Sequence, residues 1–130
     1  MFSGTWRNDQ GSGMELNQEG DIITGVYITK IGNDLVVEKR HPLIGRSVGP
    51  LIGLIVTWPA ASSITSWTGR LVIDAAGQRS IHTVWHLARE NIAGDPPRPA
   101  QPWETFLTYA SVFRPVPSAV GVDQAASRPG

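Results

Sequence analysis

From Leu51 to Gly69 the chain reads LIGLIVTWPAASSITSWTG, two stretches in which residue character alternates with period two, separated by a short Pro/Ala/Ser turn. Alternation of this kind describes strands with two unlike faces, and so short a turn joins them as a hairpin. Leu54, Val56 and Trp58 then share one face of the first strand, and Ser63, Thr65, Trp67 and Gly69 share one face of the second. Each strand thus brings a tryptophan to the same side. A purely structural core would be aliphatic there, and hydroxyls beside indoles are costly to bury without hydrogen-bond partners. This side reads either as the wall of a pocket for a small, partly polar ligand or as sandwich core whose Ser and Thr bond to backbone.

A chain of 130 residues supports one domain with a real core and lacks the length for a second. Eleven basic residues balance eleven acidic ones. Nucleic acid and anionic membranes are recognised through clustered positive charge, so neither is an expected partner. Fourteen glycines and ten prolines among short β-branched apolar runs favour many short strands over helices. The expected class is all-β. With no cysteine, a disulfide framework, a thiolate metal site and a Cys nucleophile are all excluded. The longest apolar run falls far short of a spanning helix. Met1-Phe2-Ser3 is too short and too polar for a signal peptide, so an exported protein, secreted or periplasmic, would have lost its signal ahead of this sequence.

In chain order, Gly4 to Asn8 is a first strand that stops at the turn Asp9-Gln-Gly-Ser-Gly13, and Met14 to Gln18 returns. Ile22 to Ile31 is the third strand, with Ile23, Gly25, Tyr27, Thr29 and Ile31 on one face. A loop opens at Gly32-Asn33-Asp34, and Pro42 to Arg46 lies in the fourth strand. Gly45 to Pro50 breaks the chain before the hairpin's two strands. The second of these ends at the Asp74-Ala-Ala-Gly77 turn. Gln78 to Ala88 is the seventh strand, with Ile81, Thr83, Trp85 and Leu87 on one face and His82, Val84 and His86 on the other. Ala93 to Pro102 is a stiff, proline-rich loop. Trp103 to Arg114 reads as the eighth strand, and residues 117–130 as a flexible tail behind a domain spanning 4–116. Eight strands with hairpin-length connections suggest an antiparallel up-and-down meander. Eight is also the number at which a closed barrel holds one small ligand and abolishes its sheet edges.

GTWRNDQGS (Gly4 to Ser12), TGVYITKIGN (Thr24 to Asn33), VTWPAASSITSWTG (Val56 to Gly69) and HTVWHL (His82 to Leu87) occur in the order found in the avidin and streptavidin family of biotin-binding proteins, which this chain resembles from about Gly4 to Arg114. The resemblance implies high-affinity, non-covalent biotin binding inside an eight-stranded barrel, with no catalysis, no metal and no cofactor. It places Asn8, Ser12 and Tyr27 around the ureido oxygen, Thr29 at a ureido N–H and Thr65 at the thiophane sulfur. Ile31, Gly32 and Asn33 open the loop that covers the ligand, and the Asn33 backbone N–H and Ser63 match contacts to the valerate carboxylate. Trp58, Trp67 and Trp85, with Leu87, match the apolar box. Trp103 matches a tryptophan lent by a neighbouring subunit.

Two departures stand out. Ser111 falls where the family has an acidic or amide residue that accepts a ureido N–H, so the ligand should be polarised less and held less tightly. Tyr109 stands on the inward parity where the family tends to have glycine, and its ring either fills space beside the ligand or pushes the strand outward. Outward-facing His82, Val84, His86 and Thr108 are less charged than solvent faces normally are, which, with Trp103, points to a homotetramer, with a dimer as the second choice. An enzyme is not expected. His82 and His86, four apart on a strand, lie about 13 Å from each other, too far to share a metal, and His41, Asp74 and Glu90 form no triad-like group. A barrel carrier of another small hydrophobic ligand is the alternative, although Asn8, Ser12 and Tyr27 would be superfluous to it.

Overall fold

The computed structural model describes residues 1–31 and 37–117. Its strands are β1 (Gly4–Arg7), β2 (Gly13–Glu19), β3 (Ile22–Ile31), β4 (Val37–Val48), β5 (Leu51–Trp58), β6 (Ser63–Ile73), β7 (Arg79–Arg89), β8 (Asn91–Ile92), β9 (Arg98–Pro99) and β10 (Phe106–Pro115). All except β8 and β9 close into one antiparallel barrel in the order β1-β10-β7-β6-β5-β4-β3-β2, while β8 and β9 pair with each other. The eight-stranded meander read from the turns is therefore the fold. Most of the expected tail lies outside the described residues.

Depth along the strands divides the barrel interior into two layers. One layer is solid core, where Phe2, Trp6, Met14, Ile23, Leu43, Leu54, Ile81 and Phe113 are essentially inaccessible. The Trp6 indole N–H donates to the Phe2 carbonyl at 2.9 Å, so the buried polar atom has a partner, as buried Trp requires. The other layer lies further along the same strands. On β3 the chain passes from Ile23 to Tyr27 and Thr29, on β7 from Ile81 to Trp85 and Leu87, and on β6 in the reverse sense from Thr65 and Trp67 to Leu71. Aromatic and hydroxyl side chains therefore gather at one end of a barrel whose other end is packed shut.

Two boundaries differ from expectation, each for a local reason. β1 ends at Arg7 because the Asn8 side-chain oxygen accepts the backbone N–H groups of Gln10 (3.1 Å) and Ser12 (3.0 Å), an Asx-type turn that takes the chain out of the sheet. Pro42 to Arg46 lies in β4, as expected, and Pro42 stands where the ladder to β5 has already stopped at Ile44↔Ile55. Trp103 belongs to no strand. It occupies a 3₁₀ turn, Pro102–Glu104, started by proline and closed by a reciprocal Gln101/Glu104 capping box, and β10 begins only at Phe106.

Candidate functional site

The hairpin β5–β6 pairs Trp58↔Ser63, Val56↔Thr65 and Leu54↔Trp67, and β7 continues the wall with Thr65↔Leu87 and Trp67↔Trp85. Ladder pairing sets these side chains shoulder to shoulder on the inner face. They enclose a cavity of about 570 Å³. Trp58, Trp67, Trp85 and Leu87 form its apolar side, and Ser63 and Thr65 stand between them. Asn8, Ser12, Tyr27 and Thr29 close it from β3 and the β1–β2 turn. No Asp, Glu, His, Lys or Arg is among the described residues that line it.

The indoles are held in place from behind. The Trp58 Nε1–H donates to the Thr65 hydroxyl at 2.8 Å, which uses a lone pair of Thr65 and leaves its own proton free to donate. The Trp58 ring also meets His41 at 4.4 Å between centroids and the Tyr27 edge at 6.0 Å. Tyr27 packs on Trp67 at 4.9 Å. The Trp67 indole nitrogen is buried without a hydrogen-bond partner among the described residues, the kind of unmet donor that functional cavities retain.

The polar side is a set of neutral donors. Burial pushes the Tyr27 phenol above its ordinary pKa of 10, and a hydrogen bond with Ser12 pulls the other way. The phenol therefore keeps its proton at neutral pH. The side-chain Oδ1 of Asn8 accepts from the Gln10 and Ser12 backbone N–H groups, so the amide N–H groups are not consumed by that turn. Amide, hydroxyl and phenol facing one chamber suit a single acceptor oxygen on a ligand, and such donors act strongly where water is excluded.

Several expected residues stand elsewhere. Ser111 does not line the cavity. The inward pairs of β10 and β7 step through Leu107↔Leu87, Tyr109↔Trp85, Ser111↔Thr83 and Phe113↔Ile81, which puts Ser111 one layer nearer the core than the cavity wall. There the Thr83 hydroxyl donates to the Ser111 carbonyl at 2.7 Å, and the two hydroxyls lie 3.4 Å apart. Tyr109 takes the lining position instead, stacked on Trp85 at 4.9 Å with a tilt of 35°. Trp103 is 79% exposed and is not part of the cavity lining of its own chain. The Ile31 side chain, Gly32 and Asn33 lie outside the described residues. Gln10, Ala61 and Ala110 also line the cavity. Ala61 had a signal in the short turn that joins the two tryptophan-bearing strands; Gln10 and Ala110 had none.

A closed barrel with an indole-walled chamber and a cluster of neutral donors defines a binding protein for one small uncharged head group. The sequence profile of the Avidin family matches residues 1–106, and the chain belongs to that family. Comparison with curated protein sequences gives no match. Among solved structures, the rhizavidin–biotin complex is similar with a TM-score of 0.67 at 25% identity, over 88% of this chain and 99% of that one. Xenavidin matches with a TM-score of 0.70 at 26% identity, over 88% and 97% of the two chains. Apo short afifavidin matches with a TM-score of 0.67 at 28% identity, over 89% and 96%.

Proposed function

We propose that the barrel binds biotin without covalent chemistry. The observation that carries this reading is the meeting of Asn8, Ser12 and Tyr27 with Trp58, Trp67 and Trp85 in one chamber, and the similarity to a rhizavidin–biotin complex supports it. The ureido oxygen accepts from the three donors. Thr29 meets one ureido N–H, and Thr65, its hydroxyl oriented by Trp58, meets the sulfur. The three indoles and Leu87 cover the bicyclic ring, each indole offering roughly 150–250 Å² of surface to remove from water. The carboxylate of the side chain lies toward Ser63.

Ser111, displaced from the lining, leaves β10 without an acidic or amide acceptor for the second ureido N–H, so dissociation is faster than from a site in which that strand supplies one. Trp103, exposed on a turn that its own chamber does not use, serves a neighbouring subunit in a homotetramer, with a dimer as the smaller assembly. Exposed Ile44, Val84 and Leu51 on the outer faces support such packing. The protein acts outside the cytoplasm, secreted or periplasmic, with the domain over 4–116 as the binding unit.

Titration of the purified protein with biotin and with desthiobiotin in a calorimeter tests the reading. One site per chain, with desthiobiotin weaker by the contribution of the Thr65–sulfur contact, is the expected result. Absence of heat with either compound rejects it.

A further inference from the structure

We infer that the Tyr109 ring is a further wall of the ligand site, covering from β10 the bicyclic ring that the three indoles enclose from β5, β6 and β7. The inference rests on the biotin reading. Register brings this ring into line with the indoles. The pairs Tyr109↔Trp85 and Trp85↔Trp67 make one inward row across β10, β7 and β6, and Tyr27 continues it by packing on Trp67. Tyr109 meets Trp85 at 4.9 Å with a tilt of 35°, and Tyr27 meets Trp67 at 4.9 Å with a tilt of 36°, so each end of the row is a tyrosine resting on a tryptophan. The two tyrosines differ in what stays uncovered. Tyr27 is 7% exposed and its phenol has a hydrogen bond with Ser12. Tyr109 is 54% exposed, and its hydroxyl has no hydrogen-bond partner among the described residues. Tyr27 serves the polar cluster, while Tyr109 presents open aromatic surface in the chamber lining.

A large side chain on the inward parity of a barrel can displace its strand or take the ligand's room, and this one does neither. The β10–β7 ladder is continuous from Phe106↔Ala88 to Phe113↔Ile81, so the strand is not pushed away from its neighbour at Tyr109. With the ring in place the chamber keeps about 570 Å³, within the range that small-molecule sites span. From β10 the lining residues are Tyr109 and Ala110; Ala110 stands on the opposite parity, so Tyr109 is the inward side chain through which this strand meets a ligand. Open aromatic surface beside a cavity is surface that a ligand removes from water on binding. A ring already stacked on Trp85 also loses little freedom when the ligand arrives. Contact with a ring face holds the bicyclic skeleton whichever heteroatoms it carries.

The test uses the fact that the chain has two tyrosines. Nitration of the intact protein with tetranitromethane, mapped by peptide mass, is expected to modify Tyr109 in the free protein and to lose that modification when biotin is bound. If biotin binds and Tyr109 is nitrated as before, the inference is overturned and the biotin reading stands; if the protein binds no biotin, both fall. Calorimetry on variants adds the sign. Tyr109→Ala is expected to weaken biotin and desthiobiotin by the same factor, about tenfold, and Tyr109→Phe to bind both within about twofold of the unaltered protein. An alanine variant that binds biotin equally well overturns the proposal, and one that binds it more tightly does so by showing that the ring stands in the ligand's place. A phenylalanine variant as weak as the alanine variant overturns it too, because the contribution would then lie in the hydroxyl.

Discussion

The wall built by β5, β6 and β7 and the seam between β10 and β1 enclose the same chamber by different means. Along the wall the β6–β7 ladder runs unbroken from Ser63↔Arg89 to Ile73↔Arg79, and every second residue is fixed inward. The seam has the pairs Trp6↔Pro115 and Arg7↔Arg114 and then gives way to a turn. The wall carries the indoles, whose stacking tolerates no slippage because a one-residue shift would send all of them outside. The seam carries Asn8 and Ser12, which a turn aims more freely than a strand. Rigid pairing thus supplies the apolar enclosure, and interrupted pairing supplies polar donors.

The largest expected effect tests the rigidity of the paired strands. A Cβ on Gly45 would stand 1.9 Å from the Gly53 carbonyl oxygen, and neither backbone has room to give within the β4–β5 ladder. Gly45→Ala should cost about 3 kcal/mol of stability, read from the urea midpoint; a loss near zero would show that these strands slide, and the contrast with the seam would disappear. Next comes the donor cluster beside the seam. Tyr27→Phe keeps the ring on Trp67 and removes only the phenolic proton, so biotin affinity should fall about thirtyfold, ~2 kcal/mol, with little change in melting temperature. Equal losses of stability and affinity would instead make Tyr27 a packing residue.

What was legible beforehand follows the same division. Period-two alternation is a local property, so the inward sets Leu54/Val56/Trp58, Thr65/Trp67 and Trp85/Leu87 could be read without knowing which strands are neighbours. Depth along the barrel is not local. Ser111 and Tyr109 share a parity, and only the register of β10 against β7 shows that Tyr109 meets Trp85 while Ser111 lies beneath it against Thr83. Trp103 lies on a turn and not on the expected strand, and Gln101-Pro102-Trp103-Glu104 spells that proline-started, capped turn. The alternation of the following strand, continued backwards, concealed it. Gln10 and Ala110 owe their place at the chamber to the shortness of the β1–β10 ladder, which no composition or periodicity announces.

A smaller effect refines the wall. Trp58→Phe removes the indole N–H that Thr65 accepts at 2.8 Å while retaining an aromatic ring beside His41 and Tyr27. The expected cost is about 1 kcal/mol of stability, a few degrees in a thermal melt. It should also loosen the Thr65 hydroxyl, narrowing the affinity gap between biotin and desthiobiotin. A gap of the original size would mean that Thr65 is oriented by its strand alone.

The smallest effect belongs to the loop that presents Trp103, outside both regions. Arg98 grips Glu104 through two bonds of 2.9 and 2.7 Å, and the Gln101 backbone N–H donates to the same carboxylate at 3.0 Å. Those hydrogen bonds, the Arg98 pair first, hold the Glu104 carboxyl down at about 2 from its ordinary 4.5. A depressed carboxyl pKa stabilises the folded form above the unfolded value and loses that contribution as pH falls through the folded one. The turn should therefore hold its shape at neutral and mildly acid pH and release between about pH 4.5 and 2. The pair is solvent-exposed, so salt weakens it and the barrel's melting temperature should hardly move. Trp103 fluorescence in a protein whose other tryptophans are replaced by Phe, followed through an acid titration, reports the turn directly; Glu104→Gln should abolish that transition, and a transition that survives the substitution would assign it to the barrel itself.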